Sequence, residues 1–284
     1  MLMRKAMHTM CEWKAKENRK SLVISGARQI GKTYIVRAFG KESYESFVEL
    51  NFIENPEYKA VFEGGLDVDS LLLNLSLYVP AAKFIPGKTL ILLDEIQECA
   101  EAVTSLKFWT QDQRYDVVAT GSGLGMNYRQ TSSYPVGNVE YMNMYALDFE
   151  EFLWANNVSQ DVIEKVRDCF QKRLPVPHAI HMKLLDYLRR YMVIGGMPEV
   201  VKTYIDTKNL KDVDDVQRRL YRDYIVDIAH YASPDIQIRA EKCYRSIPAQ
   251  LTKENHKFQY SQVESKGTAP KFGDSIDWLI NAYM

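Results

Sequence analysis

An eight-residue segment near the N-terminus has the residue types and the spacing of a phosphate-binding loop. Residues 26–33 read Gly-Ala-Arg-Gln-Ile-Gly-Lys-Thr, which fits the pattern G-x-x-x-x-G-K-[ST]. In such a loop, backbone N–H groups at a helix N-terminus receive phosphate charge, and glycines let the chain approach the phosphates closely. Lys32 can reach the β and γ phosphates, and the Thr33 hydroxyl can ligate Mg²⁺. We therefore predict that the loop binds a nucleoside triphosphate.

Two carboxylates follow an apolar run about sixty residues further along the chain. Residues 89–95 read Thr-Leu-Ile-Leu-Leu-Asp-Glu. Such a run suits a parallel strand buried on both faces, and its carboxyl end is where open α/β sheets bind ligands. Asp94 would then hold Mg²⁺ through water, and Glu95 would polarise an attacking water. An isolated Asp-Glu pair is commonly only a solvated turn, but the preceding phosphate loop favours the catalytic interpretation.

A third segment ends in small polar residues. Residues 116–122 read Asp-Val-Val-Ala-Thr-Gly-Ser, which predicts another short buried strand. In ATPases with adjacent Asp-Glu acids, a polar side chain from the neighbouring strand commonly senses the γ-phosphate. Ser122 or Thr120 would serve in that role. The alternative is an ordinary Thr-Gly-Ser turn, which this segment alone would favour.

The elements around these motifs must bring them to one place. Residues 21–25 predict a strand before the loop, and residues 34–39 predict a helix that ends at Gly40. Alternating or apolar stretches predict further strands at 46–52 and 139–144, and helical periodicity predicts helices at 2–17, 67–79 and 99–110. Strands that alternate with helices indicate an α/β fold, with a parallel sheet covered on both faces. The predicted nucleotide-binding residues are Gly26, Ala27, Arg28, Gln29, Ile30, Gly31, Lys32, Thr33 and Tyr34.

The pattern becomes purely helical after about residue 147. Helical periodicity recurs through 160–173, 179–194 and 211–231, with breaks at Pro175 and at Gly195 to Pro198. Residues 236–284 predict shorter helical pieces with polar linkers. We therefore divide the chain into an N-terminal domain (1–147), a helical lid domain (148–235) and a third segment (236–284).

The composition is that of a globular protein with enough apolar residues to build a core. The chain has 284 residues, of which 46% are hydrophobic and 26% charged, and its net charge of −1 gives no overall attraction to nucleic acid or membrane. The four cysteines are far apart and form no CxxC pair, which favours reduced thiols in the cytoplasm. No apolar run is long enough to span a bilayer, and the N-terminus has no signal-peptide core.

Several motifs together resemble a large prokaryotic group of AAA-type ATPases. In that group an N-terminal ATPase domain is joined to a C-terminal domain of unknown function. The resemblance covers most of the chain and is specific in order and spacing. Besides residues 26–33 it rests on Leu-Leu-Asp-Glu-Ile-Gln at 92–97, Ala-Thr-Gly-Ser at 119–122, Tyr-Pro-Val-Gly at 134–137, Met-Tyr-Ala-Leu-Asp-Phe-Glu-Glu-Phe-Leu at 144–153, and Gly-Gly-Met-Pro-Glu-Val at 195–200.

The resemblance implies an additional-strand P-loop fold, in which the strand before Ser122 separates the other two motif strands. It also implies a helical lid and a winged-helix-like segment near 240–284. By this likeness Lys32 and Thr33 bind phosphate and metal, and Asp94 coordinates Mg²⁺. Glu95 is the catalytic acid, and Ser122 or Thr120 is the sensor. Related chains continue for roughly a further hundred residues into a nuclease-like part, whereas this sequence stops at Met284.

No arginine finger can be assigned from the sequence. The candidates are Arg129, Arg218, Arg219 and Arg222, and each is equally well explained as a solvated surface residue. Without an arginine from a neighbouring subunit or a partner, hydrolysis is expected to be slow. A homo-oligomer that supplies the arginine is therefore one expectation.

Two main functions remain open at this stage. The first is an ATPase that uses ATP and Mg²⁺ and whose cycle moves the helical part. The second is a nucleotide-gated module that binds DNA or a protein through the C-terminal segment with little hydrolysis. The stretch 253–271 mixes Lys253, His256, Lys257, Lys266 and Lys271 with Phe258 and Tyr260, as a nucleic-acid surface or a small domain would. A small-molecule kinase is less favoured, because the Asp-Glu pair suits water as the acceptor.

Overall fold

The N-terminal part is built around a five-stranded parallel sheet. The computed structural model describes residues 2–122, 137–252 and 257–284. The strands are β1 (Ser21–Gly26), β2 (Ser46–Asn51), β3 (Thr89–Asp94), β4 (Asp116–Ser122) and β5 (Val139–Asn143). They lie in the order β2-β3-β4-β1-β5, and every pair is parallel. The insertion of β4 between β1 and β3 confirms the additional-strand arrangement.

The polar ends of the central strands meet at one edge of the sheet. Every residue of β1, β3 and β4 is buried, which explains why their sequences are continuous apolar runs. Polar side chains occur where these strands end, at Ser25, Asp94 and Ser122. Because all strands are parallel, these carboxyl ends share one edge, and this edge is where the site must lie.

Helices cover both faces of the sheet, as the alternation of elements predicts. They are α1 (Lys5–Lys14), α2 (Lys32–Ser43), α3 (Val68–Tyr78) and α4 (Ala100–Asp112), with short 3₁₀ helices at Pro56–Phe62 and Ile96–Glu98. One face packs against α3 and α4 in a core that contains Phe52, Phe62 and Trp109. The other face packs against α1 and α2 around Trp13 and Phe39. The layered core fixes α2, and with it the loop that precedes α2.

The prediction that α2 ends at Gly40 is wrong, because the helix continues to Ser43. The ring of Phe47 from β2 lies where a side chain of residue 40 would begin, with its Cε2 atom 2.8 Å from an ideal Cβ position. Gly40 is therefore explained by close packing against Phe47 inside the helix. A glycine in a helical pattern indicates either a helix end or such a contact, and the sequence alone does not distinguish them.

The helical part begins with five helices, four of which share a core. They are α5 (Phe149–Ala155), α6 (Gln160–Gln171), α7 (His178–Ile194), α8 (Pro198–Thr207) and α9 (Leu210–Tyr231). Phe152, Val201 and Leu220 are buried in this core. Helix α8 is not predicted from the sequence, where Gly195 to Pro198 is only a break. In the structure Pro198 is the first residue of α8, a position at which proline lacks no hydrogen bond.

The last segment forms a second helical core. It consists of α10 (Pro234–Leu251), α11 (Tyr260–Val263) and α12 (Ala269–Asn281), packed around Cys243 and Phe272. The expectation of only short pieces is wrong for α10, which has 18 residues despite an internal Pro248. Between 236 and 284 the described residues contain no strand, so the winged-helix-like assignment stays a prediction. Within the described ranges no helix has the length and apolarity needed to cross a membrane.

Two glycines in helices provide a matched test of the packing around α2. Gly40→Ala should lower the free energy of unfolding by about 1–3 kcal/mol through overpacking. The higher helix propensity of alanine should offset up to about 1 kcal/mol of this loss. Gly273→Ala in α12 should be neutral or stabilising, because nothing lies within 4 Å of its ideal Cβ. Denaturant unfolding of both variants measures the difference. Equal effects would contradict the close contact with Phe47.

Candidate functional site

The loop between β1 and α2 has a backbone that requires glycine at two positions. Gly31 has φ 87°, in the left-handed region that glycine adopts without steric cost. Gln29, with φ 62°, is a second left-handed residue of the loop. A Cβ on Gly26 would collide with the Met144 carbonyl group and would lie 2.6 Å from the Ile30 side chain. Helix α2 begins at Lys32, so its free N–H groups and the positive end of its dipole face the loop.

Lys32 is enclosed by the loop. Its side chain is buried, and its ammonium group donates hydrogen bonds to the carbonyl oxygens of Gly26 at 2.9 Å and Ala27 at 2.6 Å. Burial lowers the pKa of Lys32 to about 8, against the opposing attraction of Glu95 and Asp94. Neutral carbonyl groups hold this cation, and no carboxylate among the described residues forms an ion pair with it. It is therefore well placed to receive phosphate oxygens.

Asp94 is the meeting point of three elements. The Thr33 hydroxyl of α2 donates to its Oδ1 at 2.9 Å, and the Thr120 hydroxyl of β4 donates to the same oxygen. Asn51 Nδ2, at the end of β2, donates to Oδ2 at 3.0 Å. Burial raises the pKa of Asp94, and the hydroxyl donors of Thr120 and Thr33 lower it. The carboxylate thus joins the loop helix to both neighbouring strands.

Asn51 was missed in the sequence, although a signal for it existed. It is the last residue of β2 and pairs in register with Asp94. Its Oδ1 accepts the backbone N–H groups of Ile53 at 3.0 Å and Glu54 at 2.9 Å, which leaves the NH₂ group to face Asp94. A polar residue that ends a strand beside the acid strand would have identified it.

Glu95 projects from a strained backbone at the end of β3. Its φ of 54° and ψ of 47° lie in the left-handed region, which costs a non-glycine residue about 1 kcal/mol or more. Gln97 Nε2 donates to Glu95 Oε2 at 2.6 Å and so orients the carboxylate. Sequence reasoning missed this role of Gln97, although the residue belongs to the quoted motif at 92–97. Glu95 lines the same cleft as Lys32 and Thr33.

The two sensor candidates occupy different places. Thr120 contacts Asp94, as described above. Ser122 is the last residue of β4, is buried and pairs in register with Gly26. Both therefore lie at the carboxyl edge beside the loop, with Ser122 nearer to its beginning. Which of them meets a γ-phosphate stays a prediction.

A cleft of about 610 Å³ collects most of the predicted site residues. Of the predicted residues it is lined by Arg28, Gln29, Gly31, Lys32, Thr33, Tyr34 and Glu95. Ala27 and Ile30 instead line an adjoining cavity of about 390 Å³, whose other walls include Tyr145, Tyr191, Tyr224 and Tyr283. Residues of the one loop therefore line both spaces. One is bordered by charged groups and the other largely by aromatic and apolar groups.

Arg4 connects the loop to the segment that follows β5. Arg4 Nη1 donates to the Ile30 carbonyl at 3.1 Å, and its Nη2 donates to the Tyr145 carbonyl at 2.5 Å. The motif at 195–200 contacts the motif at 144–153, because Leu147 N–H donates to the Gly196 carbonyl at 2.7 Å. A Cβ on Gly196 would collide with the Leu147 backbone. These distant motifs therefore form one support for the loop.

Helix α9 reaches the loop from the helical part, which the sequence did not predict. Asp227 forms an ion pair with Arg28, and Gln29 Nε2 donates to Asp223 Oδ2 at 3.2 Å. The Tyr224 hydroxyl donates to the Arg28 carbonyl at 2.7 Å. Asp223 and Asp227 are four residues apart and line the cleft together. Their spacing indicates one helix face, but nothing in the sequence shows what that face contacts.

The remaining arginine candidates lie elsewhere or cannot be placed. Arg218 pairs with Asp214 at 2.7 Å, Arg219 pairs with Glu199, and Arg222 is exposed. Arg129 and most of the motif at 134–137 lie outside the described residues. No finger is identified among the described candidates within this chain.

The basic and aromatic stretch near the C-terminus is built largely into the last core. Phe258 and Tyr260 pack against that core with their ring centroids 5.5 Å apart. Lys271 pairs with Glu264, which also contacts Lys242 at 2.7 Å. Lys253 and His256 lie outside the described residues. The rings of Phe258 and Tyr260 thus contribute to the packing of a small domain, which is one of the two interpretations of this stretch.

The donor set at the loop fits Mg²⁺. The Thr33 hydroxyl and the Asp94 carboxylate are hard oxygen ligands 2.9 Å apart, at a helix N-terminus that receives phosphate. Mg²⁺ typically takes one or two such protein oxygens and completes its shell with water and phosphate oxygens. In the described ranges, no group of three or more His, Cys, Asp or Glu side chains has metal-binding geometry.

Comparison with known proteins defines the class. Residues 18–153 match the model of the AAA domain, and residues 185–284 match a domain of unknown function (DUF8612). No protein of curated function matches the sequence. The N-terminal region of the chain therefore matches an AAA domain, and the C-terminal region matches this domain of unknown function.

A solved structure shares the fold at low sequence identity. The chain is similar to the Walker-type ATPase PABY2304 of Pyrococcus abyssi, with a TM-score of 0.55, 13% identity, and coverage of 99% of this chain and 90% of that one. More remote likenesses, both at TM-score 0.39 and 13% identity, are Orc1 of Aeropyrum pernix in complex with DNA and AMPPCP-bound DnaA of Aquifex aeolicus. They cover 99% and 98% of this chain and 84% and 87% of those chains. The first likeness shows that this chain shares the fold of that protein over nearly its whole length.

The hydroxyl of Thr120 should stabilise the buried carboxylate of Asp94. Thr120→Val should lower the free energy of unfolding by about 1–3 kcal/mol, because a hydrogen bond to a charged group is lost. It should also raise the pKa of Asp94 further. An acid with a raised folded-state pKa costs stability above that pKa, and the cost shrinks as pH falls toward the unfolded value of about 3.9.

The loss should therefore be larger at about pH 8 than at about pH 5. Denaturant unfolding of the wild type and the variant at both pH values measures this difference. Thr120→Ser keeps the hydroxyl group and is the matched control. If Thr120→Ser destabilises as much as Thr120→Val, lost packing of the methyl group is the cause, and the hydrogen bond is not.

Proposed function

We propose that this protein binds ATP with Mg²⁺ and hydrolyses it to ADP and phosphate. The observation that carries the proposal is the convergence of Lys32, Thr33, Asp94 and Glu95 at one loop, with Thr33 and Asp94 in direct contact. The loop alone would support phosphate binding. The addition of a second, oriented carboxylate beside the metal-type donors supports a reaction with water.

The triphosphate would lie in the cleft and the base in the adjoining cavity. Free N–H groups at the start of α2 and the Lys32 ammonium would bind the β and γ phosphates. Ala27 and Ile30 of the loop line the cavity that Tyr191 and Tyr224 also border, while their neighbours in the loop line the cleft. Aromatic walls offer π-faces to a purine ring, and the cavity of about 390 Å³ is of suitable size. The nucleotide would therefore pass over the loop from one space to the other.

Each polar residue at the cleft has a separate task. Thr33 and Asp94 would hold Mg²⁺, which when bound neutralises phosphate charge and orients the terminal phosphate. Glu95, oriented by Gln97, would accept a hydrogen bond from a water molecule and align it for attack on the γ-phosphorus. The leaving group is ADP, whose developing charge Lys32 would stabilise. Ser122 would contact the γ-phosphate from the end of β4.

The contact of α9 with the loop supports a link between nucleotide state and the helical part. Side chains of α9 bind the loop residues Arg28 and Gln29, which would lie beside the phosphates. A change in the charge of the cleft would thus act directly on α9. The motion of the helical part during an ATPase cycle is the finer part of this proposal.

Removal of the loop lysine should abolish nucleotide binding. Lys32→Ala should weaken ATP affinity by at least roughly a hundredfold, because a buried charged donor to the phosphates is lost. Titration with a fluorescent ATP analogue in Mg²⁺ measures the affinity. The matched control is Lys202→Ala on α8, which removes an exposed lysine paired with Asp206. Unchanged binding by Lys32→Ala would contradict the assigned phosphate site.

Neutralisation of Glu95 should separate binding from turnover. Glu95→Gln should keep ATP affinity while turnover falls by roughly a hundredfold or more, because the neutral amide oxygen is a much weaker base toward the water than the carboxylate. Single-turnover hydrolysis at high protein concentration measures the step even if release of product is slow. Glu98→Gln, in the 3₁₀ helix that follows Glu95, is the matched control, since Glu98 pairs with Lys59 at 3.8 Å and lies off the cleft.

The same experiment separates the two candidate functions. Turnover in the wild type that is lost in Glu95→Gln would support the ATPase. Tight ATP binding by the wild type without turnover would instead favour the nucleotide-gated DNA- or protein-binding module. Turnover that persists in Glu95→Gln would show that the assigned mechanism is wrong.

A further inference from the structure

We propose that Arg28 is the arginine that contacts the terminal phosphate of bound ATP, and that Asp227 of α9 withholds it until ATP binds. The inference rests on the proposed function, since it assumes that ATP occupies the cleft. Arg28 would be a residue of the phosphate site, and Asp227 a positioning residue that acts through Arg28. The site would then contain its own arginine. We call the ion pair between Arg28 and Asp227, which holds this arginine away from the phosphate, the lock.

The position of Arg28 supplies the first step. It belongs to the loop itself, and its side chain lines the cleft together with Lys32, Thr33 and Glu95. Burial opposes its charge while Asp227, with a smaller contribution from Glu95, supports it, so the pKa of Arg28 is raised. The guanidinium group is thus a permanent cation within electrostatic reach of the groups assigned to phosphate binding and water activation. A guanidinium group suits phosphate because its donors match two oxygens at once.

The contacts that now hold Arg28 supply the second step. Its Nη1 donates to Asp227 Oδ1, and the guanidinium carbon lies 5.6 Å from the centre of the Tyr231 ring. The Asp227 side chain is 12% exposed and that of Arg28 is 32% exposed. The Tyr224 hydroxyl holds the Arg28 backbone carbonyl at 2.7 Å. Arg28 is therefore bound by three residues of one helix, all outside the AAA domain.

Charge decides what happens when a triphosphate enters. Asp223 and Asp227 line the cleft, so phosphate charge placed there is repelled by two carboxylates. Arg28 can relieve the repulsion when its guanidinium donors turn from Asp227 to the phosphate. Asp227 would then be a largely buried carboxylate without its counter-ion, which is costly unless α9 shifts toward solvent. ADP places less charge there and would leave the Arg28–Asp227 pair largely undisturbed.

Helix α9 is connected to the last core in a way that would transmit the shift. The rings of Tyr221 and Tyr244 stack with centroids 5.3 Å apart, and Tyr224 lies 6.3 Å from the same ring of α10. Ile228, one residue after Asp227, is buried in the last core. Release of Arg28 would therefore alter the packing of α10. The lock couples ATP, in preference to ADP, to the C-terminal domain.

The test is a double-mutant cycle that compares ATP with ADP. Asp227→Asn removes the lock and should tighten ATP binding by about tenfold, with ADP affinity changed much less. Arg28→Ala should weaken ATP binding by about tenfold and again spare ADP. In the double variant Arg28→Ala with Asp227→Asn, the gain from Asp227→Asn should shrink to the part that comes from lost charge repulsion, because there is no arginine to release. Affinities come from titration with each nucleotide in Mg²⁺.

Two controls guard against effects on folding and on general charge. Asp214→Asn removes an acid from the same helix where it pairs with exposed Arg218, and it should leave both affinities unchanged. Thermal unfolding identifies any variant that has lost its fold. Arg28→Lys keeps the charge without the planar fork and should recover only part of the ATP affinity.

The outcomes separate the inference from the proposed function. If the wild type binds ATP and Asp227→Asn has the same effect with and without Arg28, the lock is wrong. Equal shifts for ATP and ADP would also overturn it, because the terminal phosphate would then play no part. If the wild type binds neither nucleotide, the proposed function fails and the inference fails with it.

Discussion

The buried carboxylate of Asp94 is the interaction on which the arrangement of the site depends. A carboxylate with 2% exposure is tolerated only when its oxygens are hydrogen-bonded. Its donors come from Thr33 of α2, Thr120 of β4 and Asn51 of β2. Satisfying one charge therefore fixes the loop helix against two strands on either side of β3. A displacement of any of these elements would leave a buried charge short of a hydrogen-bond partner, so the contacts of Asp94 oppose such a displacement.

The parts of this site that depend on local chain geometry were predictable from the sequence. The strand, loop and helix around residues 26–33 follow from a short apolar run, two glycines in required conformations and a helical pattern. The position of Asp94 at the end of a buried strand follows from the same reasoning. The order of the strands came from the resemblance, and the structure confirms it. Local sequence patterns do not themselves encode which strand lies between two others.

The missed features all depend on contacts between distant segments. Gln97 and Asn51 are ordinary polar residues until the fold places them beside Glu95 and Asp94. The predicted end of α2 was wrong because the ring of Phe47 in β2, seven residues further on, is what requires glycine at position 40. The acids of α9 lie about two hundred residues from the loop they contact. In each case the role of the residue depends on a contact with a residue outside the local sequence pattern, so that pattern alone does not predict it.

Three cations line the described cleft, and their present partners decide what each can report. Lys32 is held by loop carbonyls, so a phosphate can take over its donors without leaving a carboxylate unpaired. Arg37 pairs with Glu49 of β2, within the same sheet domain, so a change in that pair would stay inside the domain. Arg28 pairs with Asp227, which belongs to a helix of the C-terminal part. Of these three, Arg28 is therefore the cation whose transfer to a nucleotide would alter a contact between the two parts of the chain.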